Sequence, residues 1–278
     1  MELSLLEVGM ADPAGAAPAG PTHPPDPYTR ALEFQRVLDD ALATRVEPMP
    51  WGAAIFRDDL PRAVDLNLLR VDAADPALDA SALAAEADTL QAGLPHRAVR
   101  VLDPAHAAAV APGFGASGWL LRRTAVMVQR RFADRPVDAS QVQELPIERL
   151  RQAREGFIRH DHRDLDVGAE VLAAGELPAD GVVPRAFGAI VGADVAAYCM
   201  LRTIDRVAKV TEAEALSRSS GRGEGRAVIA EAAQAARRAG ASLVFVESAD
   251  EDWAKWTYHR MGYDEVGKLH LFVRPWGD

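Results

Sequence analysis

Ser217-Arg218-Ser219-Ser220-Gly221-Arg222-Gly223-Glu224-Gly225-Arg226-Ala227 is the stretch that orders the rest of the chain. An extended run over residues 207–216 leads into it. A helical pattern over 228–239 leads out and stops at Gly240. Three glycines alternate with Arg222 and Glu224, so every second position lacks bulk. Glycine tolerates positive φ and lets a backbone approach a ligand closely. The first helical turn leaves amide N–H groups unpaired at the positive end of the dipole. Strand, glycine turn and helix start together make an anion site, for which phosphate is the usual guest. Arg222 and Arg226 add charge at the same spot.

Two common phosphate loops are excluded. No Lys-Ser or Lys-Thr pair follows the glycines, and Arg226 stands where G-x-G-x-x-G needs its third glycine. Ser220-Gly221-Arg222-Gly223-Glu224-Gly225 instead resembles the pyrophosphate turn R/Q-x-x-G-x-G/A of the GNAT acetyltransferases, with Ser220 where Arg or Gln is usual. The residues that follow extend the likeness. A buried-strand pattern over 241–247 precedes a helical stretch over 250–261, and a last strand covers 268–274. The segment Tyr258-His259-Arg260-Met261-Gly262-Tyr263 is similar to the end of the GNAT fold, where the final helix carries a tyrosine shortly before a Gly-aromatic pair.

At 278 residues the chain is long enough for two domains. A net charge of −10 argues against non-specific binding to nucleic acid or anionic membrane. It suits a cationic acceptor such as an amine, and solubility explains it equally well. The single Cys199 excludes an intrachain disulfide; within Ala196-Ala197-Tyr198-Cys199-Met200 it reads as a small buried hydrophobe. No apolar run approaches a membrane span, and the N-terminus lacks the basic start of a signal peptide, so a cytoplasmic protein is expected.

Residues 1–26 are rich in Ala, Pro and Gly without amphipathic period, as in a disordered tail. A helix is expected from Tyr28, then strands over 52–56 and 63–71, and a helix over 81–90. A strand over 98–102, a short helical patch near Ala107 and a strand over 119–129 complete the first half. Residues 131–136 form a linker. The second half has helices over 147–158 and 168–174, then strands over 185–190, 194–202 and 206–216, with Val191-Gly192-Ala193 as a tight turn. The order from 137 to 275 is that of the GNAT fold. The two halves also share an ending: Gly118-Trp119 and Arg130 in the first are spaced like Gly262-Tyr263 and Arg274 in the second. The expected architecture is therefore mixed α/β, with two GNAT-like domains, each a mostly antiparallel mixed sheet flanked by helices. A degenerate domain would cover 27–134 and a catalytic one 137–278. The first half carries Val71-Asp72-Ala73-Ala74-Asp75-Pro76-Ala77-Leu78 where the phosphate turn belongs; it has no glycine, and two carboxylates would repel pyrophosphate.

The resemblance implies an acetyl-CoA-dependent N-acetyltransferase that moves an acetyl group to a primary amine, of a small molecule or a peptide, by direct attack in a ternary complex. Backbone from Gly221 to Gly225, with Ser220, Arg222, Glu224 and Arg226, would hold the coenzyme. Ala215 and Leu216 would pair with its pantetheine arm as an added strand does, one amide aiming at the thioester oxygen. Tyr258 is the implied acid: a phenol is protonated at neutral pH and can serve a leaving thiolate, by proton transfer or by a hydrogen bond alone. For the base, Glu212 and Glu214 would share a strand face by the period of two, and a solvated strand charge is the plainer alternative for either. His160-Asp161-His162 has the look of a metal pair but no third cluster, so a polar loop bordering the acceptor site is expected, with Glu155 beside it, and no metal. A non-catalytic acyl-CoA-binding or interaction protein on the same scaffold is the alternative, favoured by Ser220. The first domain would supply a wall of the acceptor cleft or a homodimer surface.

Overall fold

The computed structural model describes residues 25–75, 77–161, 165–179, 181–215 and 223–275. The first half runs α1 (Pro27–Leu42), β1 (Arg45–Met49), β2 (Gly52–Phe56), a 3-10 turn (Val64–Leu66), β3 (Leu68–Val71), α2 (Ala80–Leu90), β4 (His96–Val101), α3 (Pro104–Ala116) and β5 (Leu120–Gln129). The second runs β6 (Val142–Leu145), α4 (Ile147–Asp161), α5 (Leu165–Glu176), β7 (Arg185–Val191), β8 (Asp194–Ile204), β9 (Val207–Ala215), α6 (Glu224–Arg238), β10 (Leu243–Ala249), α7 (Ala254–Arg260) and β11 (Tyr263–Pro275). Most of the tail expected over 1–26 lies outside the described residues; Asp26 itself is the N-cap of α1, accepting from the amides of Tyr28 and Thr29.

Differences from the sequence reading have local causes. Strands β1 and β6 are the two edges of the sheet; their Arg, Glu and Pro residues protect an edge and hide the strand pattern. The strand expected over 63–71 begins only at Leu68. Asn67 breaks it, its side chain donating to the carbonyls of Leu60 and Ala63 and accepting from the amide of Arg57. Helix α3 is a full helix rather than a patch. Pro112 and two glycines disguise it, while Ala107, Val110 and Phe114 bury against the sheet.

The two halves share one 11-stranded sheet, ordered β1-β2-β3-β4-β11-β5-β10-β9-β8-β7-β6. The last strand of each half has crossed into the other. β5 lies between β11 and β10, and β11 lies between β4 and β5, so neither final strand has a partner from its own half. Parallel pairs β3·β4 and β9·β10 flank this exchanged centre. Helices α2 and α3 cover the first half on the same face that α6 and α7 cover in the second. Helix α1 packs on the opposite face, over β5, β10 and β11.

The shared Gly-aromatic endings begin these exchanged strands. Gly262 (φ +89°) meets the connection out of β5 so closely that a Cβ would lie 2.1 Å from the Arg131 carbonyl oxygen. Gly118 (φ +77°) has open space around it. Gly118→Ala is therefore expected to cost about 1–2 kcal/mol, the left-handed penalty alone. Gly262→Ala should cost more than about 4 kcal/mol, because backbone must also move. Urea denaturation of the two variants checks this; equal losses would contradict the close approach.

Candidate active site

Strands β9 and β10 pair only from Val207↔Leu243 to Val210↔Val246. Beyond that rung β9 continues to Ala215 and β10 to Ala249 without pairing, so the sheet opens into a crevice. A bulge in β9 accompanies the parting. Tyr198 and Met200 of β8 face Glu214 and Thr211, and Glu212 sits at φ +50°. Ala215, on the free edge, is opposite Ala197 of β8 on its other side. In the first half the equivalent parallel pair stays shut: β3 and β4 pair to Val71↔Val101, and the Leu102 amide donates to the Val71 carbonyl at 3.0 Å.

The start of α6 lies against the end of β9; a Cβ on Gly225 would be 3.4 Å from that of Ala215. Gly223 is the N-cap, at φ +104°, and brings no side chain to cap the helix. Helices α1, α2 and α3 are each capped by an aspartate: Asp26, Asp79 and Asp103. A glycine N-cap leaves the first amides of α6 without the carboxylate partner that those of α1, α2 and α3 have. The exposed Arg226 turns its guanidinium back toward Gly223, 3.5 Å from where a Cβ would stand. Glu224 is the first residue of the helix. Leu216, Ser220, Gly221 and Arg222 lie outside the described residues.

Tyr258, on α7, reaches the same region. It is buried in the cluster formed by α6, β8 and β9, and its ring lies 6.0 Å from Tyr263. Burial, then the charge of Glu214, pushes its pKa up to about 12. Four residues before Gly118 the first half has Phe114, at the place Tyr258 holds before Gly262, and it stacks on Phe272 and packs on Trp119. A ring is kept there and the hydroxyl is not. Cys199 is fully buried, its thiol donating to the Val228 carbonyl and pushed up in pKa by burial, which fits a hydrophobe and not a nucleophile.

The two candidate carboxylates part company. Glu212 is held by Arg154 of α4, whose Nε and Nη2 donate to Oε2 and Oε1 at 2.8 and 3.1 Å; Arg154 is fully buried and also pairs with Glu176. The bulge, and not simple alternation, sets its place on the strand. Glu214 is opposite Tyr198, and its charge is felt at Tyr258. Neither Arg154 nor the bulge had a sequence signal, since both depend on contacts made across the fold. Tyr198 read only as part of an apolar strand. Of the possible metal pair, His160 and Asp161 fall in α4 and His162 lies outside the described residues. Among the described residues no cluster could hold a metal ion, and no helix is long and apolar enough to cross a membrane. A cavity of about 550 Å³ lies beside α7, lined by Met127, Asp250, Lys255, Trp256, His259 and Glu265; Tyr258 is not part of its wall.

No family model and no curated relative matches the chain. Its structure is similar to a GCN5-related N-acetyltransferase from Kribbella flavida, with TM-score 0.63 and 17% identity over 89% of this chain and 96% of that one. It is also similar to a functionally unknown conserved protein from Staphylococcus epidermidis ATCC 12228, with TM-score 0.62 and 12% identity over 84% of this chain and 95% of that one. At these identities the likeness is one of fold: the chain has the GNAT acetyltransferase fold, built as a tandem on one sheet.

Proposed function

We propose that the second half is an acetyl-CoA-dependent N-acetyltransferase acting on a primary amine. The observation that carries this reading is the crevice between β9 and β10 ending at the glycine N-cap of α6. That juxtaposition offers a strand edge to a pantetheine arm and orphan amides to a pyrophosphate. The fit is chemical as well as spatial, because the N-cap of α6 is Gly223 where α1, α2 and α3 each place an aspartate; the first-turn carboxylate of α6 is Glu224, one position further on. Acetyl-CoA supplies the activated thioester carbonyl.

Each remaining need is met by a residue of this chain. The free edge of β9 near Ala215 offers an amide to the thioester oxygen, where negative charge grows as the amine adds. Glu214 takes the proton that the amine nitrogen loses, directly or through water. Tyr258 gives its hydroxyl proton to the departing sulfur as the C–S bond breaks and regains one from solvent, matched by the proton that Glu214 releases. The products are an amide and the free thiol. Glu212, committed to Arg154, shapes the bulge and is not the base. The first half, with its closed strand pair, its Asp79-capped helix and Phe114, binds no coenzyme. The amine acceptor enters beside Glu214 and Tyr198; the net charge of −10 favours a cation. The reading places the protein in the cytoplasm.

Calorimetric titration of acetyl-CoA into the protein and into Gly223→Glu tests it. One site per chain is expected, weakened by about 100-fold or more in the variant, since a carboxylate at the helix start replaces the phosphate. No binding by the wild type would overturn the reading. Two sites per chain would overturn the silence of the first half. Binding without turnover on any amine would favour a non-catalytic acyl-CoA-binding protein.

A further inference from the structure

The crevice opens at a defined rung, and an ion pair between a buried lysine and a half-buried glutamate straddles that rung. Lys209 lies on β9 opposite Phe245, one position before the last pair Val210↔Val246. Glu247 is the first residue of β10 beyond it. Lys209 Nζ and Glu247 Oε1 are 2.8 Å apart, in the geometry of an ion pair and not of an aligned hydrogen bond. The pair therefore crosses diagonally from one strand to the other where their ladder ends.

The bracing comes from the other half of the chain. Lys209 Nζ donates to Gln35 Oε1 of α1 at 2.7 Å, and Gln35 Nε2 donates to Asp39 Oδ1 at 2.7 Å. Arg100 of β4 donates to Asp39 Oδ2 at 2.8 Å, and the charge of Glu247 also acts on Arg100. Phe34 of α1 meets Phe245 edge-on at 5.3 Å beneath the Lys209 ammonium. Gln35, Asp39, Arg100 and Lys209 are all buried. Buried charges are held only where partners compensate them, so this chain of contacts allows few arrangements.

We propose that Lys209 and Glu247, braced by Gln35, are positioning residues that set where β9 and β10 part, and so the width of the acyl-CoA slot. One more rung would close the slot toward its mouth, and one fewer would widen it. On this inference, which rests on the function proposed above, the coenzyme-free first half serves the second as the abutment of its binding slot.

The test measures the acetyl-CoA Kd of the full chain and its variants by calorimetry, with thermal midpoints recorded alongside. Lys209→Met and Gln35→Ala are expected to weaken binding about tenfold, and Lys209→Arg to recover most of it. Val110→Ala opens the first-half core on α3 away from the network; it should lower the midpoint comparably and leave Kd within about twofold. Equal weakening by Val110→Ala would reduce the effect to general stability and overturn the inference. So would unchanged Kd in both Lys209→Met and Gln35→Ala. If Lys209→Met does not fold, Gln35→Ala alone decides, since α1 carries no residue of the slot. Failure of the wild type to bind would overturn the acyl-CoA reading itself, and this inference with it.

Discussion

Tyr258→Phe is expected to lower kcat by about 100-fold or more while leaving the KM for acetyl-CoA nearly unchanged. The ring stays packed in the cluster with Cys199, Val228 and Tyr263, so the slot keeps its shape. Only the hydroxyl proposed to serve the departing sulfur is lost. Thiol release on a panel of primary amines, with the variant beside the wild type, measures both constants. A variant with full kcat would remove Tyr258 from the chemistry.

The pH profile gives the same residue a second test. In its proposed role Tyr258 acts in the protonated form, and burial with the Glu214 charge raises its pKa to about 12. A raised pKa keeps an acid protonated to higher pH. Loss of kcat from this group is therefore expected only as pH approaches 12, and not near the ordinary phenol value of about 10. A fall in kcat centred near 10, absent in Tyr258→Phe, would contradict the buried setting.

Severing the halves should be still more damaging. A fragment of residues 137–278 retains the glycine turn, Tyr258 and Glu214, but it loses both strand partners of β11. Burial of Leu269, Leu271, Phe272 and Val273 on β11 is worth about 1.5–3 kcal/mol each, or roughly 6–12 kcal/mol together. That matches the whole stability of an ordinary domain, about 5–15 kcal/mol. The fragment is expected to be unfolded or aggregated, and residues 1–134 likewise, because β5 has no partner there. Co-expression of the two pieces should restore a soluble complex that binds acetyl-CoA. Circular dichroism and size-exclusion chromatography distinguish these outcomes. A folded, acetyl-CoA-binding 137–278 fragment would show that the exchanged strand is dispensable.

The features legible in the sequence are those fixed by near neighbours. The glycine alternation ahead of an amphipathic helix marks the start of α6, because positive φ and missing side chains are properties of single residues. Tyr258 before Gly262-Tyr263 lies on one short helix and its turn, so its place follows from spacing. The repeated Gly-aromatic ending marks two like strands, and Phe114 in the equivalent place of the first half could have been read the same way.

Tertiary structure decided which strands those endings pair with. Backbone hydrogen bonds look alike in any strand, so nothing within β5 or β11 says that each must cross into the other half. The parting of β9 from β10 is likewise a relation between two strands. Glu212, within the bulge of β9, is held by Arg154, a residue of α4 that no local pattern brings beside β9. That distant contact ties both carboxylate oxygens of Glu212 to a guanidinium. Local chemistry in the chain determined where a glycine N-cap and a phenol stand; long-range pairing decided that they stand where β9 and β10 part, in a sheet whose two halves exchange their last strands.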